Sequence, residues 1–252
     1  MSAPVFYHRF VQKIDSDVCL VWGHGWGQSS HAFLPWTESL ESLATHLLID
    51  FPGFGKSPLP SDTWGTKDYA DATASFLRKE TPGMQRIWVG HSFGGRIGIQ
   101  IAARHPDLLS GLFLIAPAGL KRKRTLPEML RFQSRTLVYK SARRLGFDAE
   151  MLKNRFGSPD YNAAGPLRNV LVRVIHEDLS SLAKEVRCPV KLFYGMDDTE
   201  TPPSMGREFA TLFPDAFLTL LKGHDHNSLV QEGRYVLLKY LRHFMDSLAC
   251  KR

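Results

Sequence analysis

Residues 86–98 join a strand-like run to a helix-like run at a single serine, Ser92. Glycines occupy both of its second neighbours, Gly90 and Gly94, which gives the pattern G-x-S-x-G. At a sharp strand-to-helix turn, neighbouring backbones come so close that only glycine fits at these two positions. Such a turn lifts the hydroxyl clear of a sheet and points the amino terminus of a helix at it. The spacing therefore predicts that Ser92 is a nucleophile that attacks a carbonyl carbon.

A serine hydroxyl needs a base that takes its proton, and the base needs an acid that orients it. Two adjacent candidate acids, Asp197 and Asp198, follow one late apolar run of the chain. Two candidate bases, His224 and His226, follow the next such run. The residues alone leave the choice within each pair open.

Short apolar runs bounded by Gly or Pro alternate along the chain with segments of helical spacing. Six runs are interpreted as strands, and their nearly continuous apolar character is typical of strands covered on both faces. They are 18–25, 45–53, 85–91, 109–119, 189–195 and 216–223. A final helix is expected from residue 234 to about 248, with Tyr235, Leu238, Leu241 and Met245 at helical spacing. The alternation predicts an α/β fold, with a mostly parallel central sheet and helices on both faces.

The alternation breaks within residues 120–186, where helical spacing continues without a convincing strand. We interpret this stretch as a helical cap, inserted between core strands and covering the carboxyl ends of the sheet. Sheet and cap are expected to form one domain over residues 1–252. Within the cap, residues 121–155 carry eleven Lys or Arg against three acids, while the whole chain has a net charge of +7. This basic segment is either a solvated helix face or an attraction for an anionic substrate or membrane surface.

Composition limits the remaining classes of function. A chain of 252 residues with 43% hydrophobic and 23% charged residues is expected to be globular. No apolar run has the length of a signal peptide or a membrane span. Three widely spaced cysteines, Cys19, Cys188 and Cys250, are typical of a reducing compartment, so we expect a cytoplasmic protein.

Metal and nucleotide chemistry find little support in the sequence. No group of His, Cys and acidic residues has metal-ligand spacing, so we expect no metal and no cofactor. The run Gly55-Lys56-Ser57 resembles part of a phosphate-binding loop, but position 50 is Asp where that loop needs glycine. No nucleic-acid partner is expected.

Several motifs together resemble the α/β-hydrolase superfamily, in its small form with a helical cap. They are the serine turn, His24-Gly25-Trp26-Gly27, Asp50-Phe51-Pro52-Gly53-Phe54-Gly55-Lys56-Ser57, and the acid and histidine loops. The family acid falls in a G-x-x-D-x-x-x-P frame, which Gly195, Asp198 and Pro202 match. The family histidine ends a P-G-x-G-H pattern, whose last place falls on His226, with Asp225 where the family usually has glycine.

The resemblance implies a Ser-His-Asp triad of Ser92, His226 and Asp198. It also implies an oxyanion hole made by the backbone N–H groups of Trp26 and Phe93. Asp197 would then cap the following helix. His24 and His91, each inside a tight turn, are expected to pack or to hydrogen-bond the backbone.

The resemblance implies an enzyme that hydrolyses a carboxylic ester or related acyl substrate through an acyl-enzyme. Relatives that open epoxides or displace halide use Asp as nucleophile, and Ser92 argues against both. Thioester cleavage and carbon–carbon bond hydrolysis use the same triad and stay open, as does a non-catalytic small-molecule receptor. The expected partner is a small, possibly anionic acyl substrate, and weak association with a membrane surface is compatible with the basic segment.

Overall fold

The computed structural model describes residues 6–10, 16–121 and 159–250, with a few positions between 134 and 145. In this part of the chain a seven-stranded sheet has the order β1-β3-β2-β4-β5-β6-β7. Its first strand pairs antiparallel with β3, and every other pair of neighbours is parallel. The strands are β1 Phe6–Phe10, β2 Val18–Gly23, β3 Thr45–Asp50, β4 Gln85–His91, β5 Gly111–Ile115, β6 Val190–Gly195 and β7 Ala216–Leu221.

Helices cover both faces of this sheet, which confirms the predicted α/β class. The described helices are α1 Leu34–Thr37, α2 Thr66–Glu80, α3 Phe93–Arg104, α4 Pro159–Ala163, α5 Arg168–His176, α6 Ser180–Ala183, α7 Pro203–Leu212, α8 Ser228–Gln231 and α9 Arg234–Ala249. Short 3-10 turns span Ser30–Phe33 and Gly165–Leu167. Side chains alternate across β2, so that Cys19 and Val21 join one hydrophobic cluster while Leu20 and Trp22 join the other. This two-sided burial explains why the strands are nearly continuous apolar runs.

The sheet differs from the sequence-based prediction at its two edges. The prediction omitted β1, a short strand with polar residues in the sequence Phe-Tyr-His-Arg-Phe. Strand β7 lies at the opposite edge, where most of its residues are only partly buried and Phe217 is exposed. Its apolar run therefore reflects an edge strand and not one covered on both faces.

Helix α9 buries most of the expected stripe, because Leu238 and Leu241 are buried and Met245 packs against the core, but Tyr235 is an exception. Leu237, Leu241 and Phe244 face the core, whereas Tyr235 is 65% exposed. The guanidinium of Arg234 lies 4.5 Å from the centre of the Tyr235 ring. The aromatic ring thus takes a cation–π contact at the surface, and the prediction that it belongs to the packed face is wrong.

Most of the expected cap, and nearly all of its basic segment, lies outside the described residues. Its last part, residues 159–186, contains α4, α5 and α6. Arg96 of α3 is buried and donates a 2.9 Å hydrogen bond to the carbonyl of Val174 in α5. The Glu177 carboxylate, just after α5, accepts a 2.9 Å bond from the backbone N–H of Thr66. The first bond holds α5 against α3, the helix that follows the serine turn, and the second holds the end of α5 against the start of α2.

No helix of the described ranges is long and apolar enough to cross a membrane.

Candidate active site

The serine turn lies between β4 and α3 and has the strained geometry that its glycines predict. Ser92 has φ 48° and ψ −106°, a conformation that costs free energy in a non-glycine residue. A methyl group on Gly90 would come within 2.7 Å of the Gly94 carbonyl oxygen. One on Gly94 would collide with the carbonyl of Gly23 at the end of β2. Close approach of three backbone segments therefore requires glycine at both positions.

The turn after β2 packs directly on the first turn of α3. The Gly94 N–H donates a 3.0 Å hydrogen bond to the His24 carbonyl, which joins the two segments. Among the described residues, the backbone N–H groups of Trp26 and Phe93 have no hydrogen-bond acceptor. The two rings lie edge to face with centres 5.2 Å apart. Two unsatisfied donors beside a serine are what an oxyanion hole requires.

The run from Asp50 to Ser57 forms a turn that is organised by Asp50 and packs against Trp26. The Asp50 carboxylate accepts hydrogen bonds from the backbone N–H groups of Ser30, at 2.7 Å, and Lys56, at 2.9 Å. The turn that it organises carries Phe54, whose ring centre lies 4.9 Å from that of Trp26.

Asp198 lies at the carboxyl end of β6 and is buried, with 3% of its surface exposed. Its Oδ1 accepts the backbone N–H groups of Glu200 and Thr201, both at 2.8 Å. Its Oδ2 accepts the Nδ1–H of His226 at 2.7 Å. Burial alone would raise the pKa of this carboxyl, but the bond and charge of His226 and the Thr201 donors hold it below its ordinary value.

His226 follows β7, and its contact with Asp198 determines which ring nitrogen is available. Because Nδ1 carries the proton donated to Asp198, the neutral imidazole presents a bare Nε2, the form a general base needs. Burial lowers the pKa of His226, but the hydrogen bond and charge of Asp198, together with Glu200, raise it above its ordinary value. The Glu200 carboxylate lies 3.7 Å from Nε2 and is exposed.

Ser92, like Asp198 and His226, follows the carboxyl end of a parallel strand, but the structure shows no hydrogen bond between Ser92 and His226. Within the described part of the chain, the hydrogen bonds of Ser92 run through its backbone, to Ile115, Arg96 and Ala118. The ring of His91, the residue before Ser92, packs on that of His226, with ring centres 4.7 Å apart. In unliganded enzymes the bond between nucleophile and base is often long and tightens when substrate binds. Two of the three candidate residues are therefore in direct contact, and the third directly follows His91, whose ring packs on the candidate base.

The alternative acid and base occupy different environments. Asp197 is exposed, and α7 begins at Pro203 without a side-chain cap, so the expectation that Asp197 caps this helix is wrong. The backbone N–H groups before α7 are bound by the Asp198 carboxylate instead. The Nδ1 of His224 lies 3.0 Å from the Gly223 carbonyl, outside the contact with Asp198.

His24 and His91 bind the backbone, as expected. In His24, Nδ1–H donates to the Gly25 carbonyl at 2.7 Å, and Nε2 accepts the Phe51 N–H at 3.2 Å. In His91, Nε2–H donates to the His226 carbonyl at 3.2 Å. Burial lowers the pKa of His24 to about 4 and that of His91 to about 3, so both rings are neutral at pH 7.

These two buried histidines predict acid sensitivity. Histidine in the unfolded chain has a pKa near 6.5. Between pH 6.5 and 4, His24 and His91 therefore bind protons in the unfolded chain but stay neutral in the folded protein. The free energy of unfolding should fall across this window by roughly 3 kcal/mol for each residue. The raised pKa of His226 acts in the opposite direction, because its stabilisation is present below pH 6.5 and is lost at higher pH.

Urea denaturation at several pH values between 7 and 4 measures this dependence. His91→Gln should reduce the slope of the unfolding free energy against pH by the contribution of one proton. Adding 0.5 M salt should change this slope little, because salt screens a buried ring poorly. Stability that stays constant across the window would contradict the assignment of neutral buried rings.

Sequence reasoning missed Thr201 and Glu200, which lie in the acid loop and point at His226. The Thr201 hydroxyl oxygen is 2.8 Å from Oδ2 of Asp198 and 3.1 Å from Nδ1 of His226. No periodicity or short motif marks either residue, and only their place within three positions of the acid is readable from sequence. Within the described ranges, no group of three or more His, Cys, Asp or Glu side chains could hold a metal ion.

This chain is similar in sequence to a known protein family and to a named esterase. A family model described as the alpha/beta hydrolase fold matches residues 19–160. A pimeloyl-[acyl-carrier protein] methyl ester esterase of Chromobacterium violaceum is 31% identical over 231 residues, which cover 83% of this chain and 87% of the relative.

Solved structures share the fold at low sequence identity. A thermophilic esterase from Thermogutta terrifontis superposes with a TM-score of 0.72 at 15% identity, covering 97% of this chain and 93% of that one. The enol-lactonase of Burkholderia xenovorans LB400 gives a TM-score of 0.72 at 18% identity, covering 96% of each chain.

Proposed function

The chain belongs to the α/β-hydrolase fold family, and from this premise we propose that it is a serine esterase with Ser92, His226 and Asp198 as its triad. The observation that carries this proposal is the 2.7 Å bond between His226 and buried Asp198, beside a serine with φ 48°. A buried imidazole with its Nδ1 bound and its Nε2 bare has the form of a general base. Backbone strain at the neighbouring serine is typical of a functional turn.

The chemistry proposed for the site proceeds through an acyl-enzyme. Ser92 Oγ attacks the ester carbonyl while Nε2 of His226 takes its proton, and Asp198 stabilises the imidazolium. The N–H groups of Trp26 and Phe93 bind the oxyanion, each worth roughly 3 kcal/mol in the transition state. The proton passes to the leaving alcohol. Water, deprotonated by the same imidazole, then releases the acid and regenerates the serine.

We extend the proposal to the substrate, as a methyl ester at the end of an acyl chain borne on an acyl-carrier protein. The Chromobacterium relative bears the name of such an esterase, and this chain covers 87% of it. Residues 121–155 hold eleven Lys or Arg against three acids, which would attract a negatively charged carrier. The carboxylates of Asp198 and Glu200 lie next to His226 and would repel a negatively charged group. A methyl ester is neutral and would not be repelled.

The test compares one acyl chain on and off its carrier. The purified chain is incubated with pimeloyl-acyl-carrier protein methyl ester and with dimethyl pimelate, and mass spectrometry follows the products. We expect loss of one methyl group from both, with a higher kcat/KM for the carrier-borne ester. This preference should shrink in 0.5 M salt and on charge reversal at Arg143 and Arg144.

Each product identifies a different outcome. If neither ester is hydrolysed and a fluorophosphonate does not label the protein, the esterase proposal fails. If the carrier is released without its acyl chain, the protein is a thioesterase. If kcat/KM is the same for both esters and does not depend on salt, the protein does not recognise the carrier, and only the esterase proposal stands.

A further inference from the structure

A buried hydroxyl lies where the acid and the base of the candidate triad meet. Thr201 is 4% exposed and follows Asp198 by three residues, at the point where the loop leads into α7. Its Oγ1 lies 2.8 Å from Oδ2 of Asp198, 3.1 Å from Nδ1 of His226 and 3.3 Å from the carbonyl oxygen of Ala116. Three elements of the site therefore converge on one hydroxyl group.

The positions of the protons follow from these distances. His226 Nδ1 donates to Oδ2 at 2.7 Å, so this nitrogen cannot also accept a proton from Thr201. The hydroxyl has a single proton, and Oδ2 is a nearer acceptor than the Ala116 carbonyl. Oδ2 thus receives two donors, while Oδ1 receives the N–H groups of Glu200 and Thr201. All four bonds act on one buried carboxylate.

We propose that Thr201 is a positioning residue of the triad, an inference that rests on the proposed function. Its hydroxyl donates to the same oxygen that holds His226, and so fixes the plane of the Asp198 carboxylate against the imidazole. The terminal torsion of an aspartate is broad, so a carboxylate without this donor could rotate about its last bond. The same hydroxyl also shares the charge of Oδ2, which would otherwise act on the imidazolium alone.

Other charged and titratable groups also act on this imidazole. His91 packs on it from the end of β4, and Glu200 approaches Nε2 from the acid loop. Asp160 of α4 exerts a favourable charge on it, and Asp225 precedes it in its own loop. Unlike Asp160, Asp225 and Glu200, the Thr201 hydroxyl bonds directly to Oδ2 of the orienting acid, so its removal should have an effect of its own.

Thr201→Val removes the hydroxyl and keeps the shape of the side chain. We expect kcat to fall on the order of tenfold with KM within about twofold, because the lost bond involves a charged group and supports the transition state. The acid limb of the kcat/KM profile should move to higher pH, since Oδ2 then acts on the imidazolium alone and raises its pKa. Thr201→Ser, which keeps a hydroxyl, should restore kcat to within about twofold of the parent.

Thr73→Val is the matched control. Thr73 is fully buried in α2, and its hydroxyl has no hydrogen-bond partner among the described residues. This variant should leave kcat and the pH profile unchanged. If Thr201→Val does not fold, Thr201→Ala takes its place, with Thr201→Ser as the hydroxyl-bearing control and a thermal melt to establish folding.

The proposal is overturned if folded Thr201→Val keeps both the parental kcat and the parental acid limb, or if Thr201→Ser is impaired as much as Thr201→Val. A proton NMR spectrum separates this failure from failure of the esterase proposal. The downfield resonance of the His226 Nδ1–H, assigned by its loss in His226→Gln, should shift in Thr201→Val even in a protein that hydrolyses no ester. An unmoved resonance would exclude the positioning role.

Discussion

Ser92→Ala should abolish ester hydrolysis, with kcat/KM falling by about a millionfold toward the uncatalysed background. The expectation follows from the proposed role of this hydroxyl as the attacking oxygen, which the strained turn at Ser92 supports and which alanine cannot supply. Alanine at this position has the same backbone strain, and the thermal stability should change little. Initial rates on a p-nitrophenyl ester measure the loss.

Labelling by a fluorophosphonate gives an independent readout of the same prediction. The parent protein should be labelled at Ser92, and the alanine variant should not react. Ser110→Ala is the control, because Ser110 precedes the amino-terminal end of β5, whereas Ser92 follows the carboxyl end of β4, and this change should leave labelling and turnover intact. Rapid labelling of the Ser92→Ala protein at another residue would show that the nucleophile has been misassigned.

The serine turn was predictable because its physical requirement is local. A strand, a serine between two glycines and a helix lie within 13 consecutive residues, and the close approach of Gly94 to Gly23 explains the glycines. The parallel sheet was predictable for a similar reason, because burial on both faces leaves a continuous apolar run for each central strand. Edge strands do not follow this rule, which is why the sequence did not indicate β1 and why the run 216–223 suggested a strand covered on both faces.

In the acid loop, the contacts of the side chains could not be predicted from the residue types alone. Asp197 and Asp198 are chemically identical neighbours, and only the family frame favoured the second, which proves to be the buried partner of His226. Nothing in the residue types shows that Thr201 bonds with the same carboxylate, because this contact depends on the folded conformation of the loop after β6. A hydroxyl three residues after an aspartate is common in loops, and only the tertiary structure shows which groups it contacts.

The two aspartates provide the second prediction with a large expected effect. Asp198→Asn should lower kcat by about 10⁴-fold, whereas Asp197→Asn should leave it within about twofold. The backbone N–H groups of Glu200 and Thr201 require an oxygen at the Oδ1 position, so the new NH₂ group must face His226. An NH₂ group cannot accept the Nδ1 proton. The imidazole is therefore driven to the tautomer with a proton on Nε2, which cannot take a proton from Ser92.

Steady-state kinetics above the acid limb measure this effect, where the parental imidazole is already neutral. Fluorophosphonate labelling should slow in parallel, since it depends on the same base. Circular dichroism melts establish that both variants fold, because Asp198 is buried and its replacement can also destabilise the loop. A loss of less than tenfold in folded Asp198→Asn, or equal losses in the two variants, would remove Asp198 from the triad. Loss of charge alone would not fix the tautomer of His226. The expected tautomer follows from the two hydrogen bonds that the backbone N–H groups of Glu200 and Thr201 donate to this side chain, so the catalytic role of Asp198 depends on them.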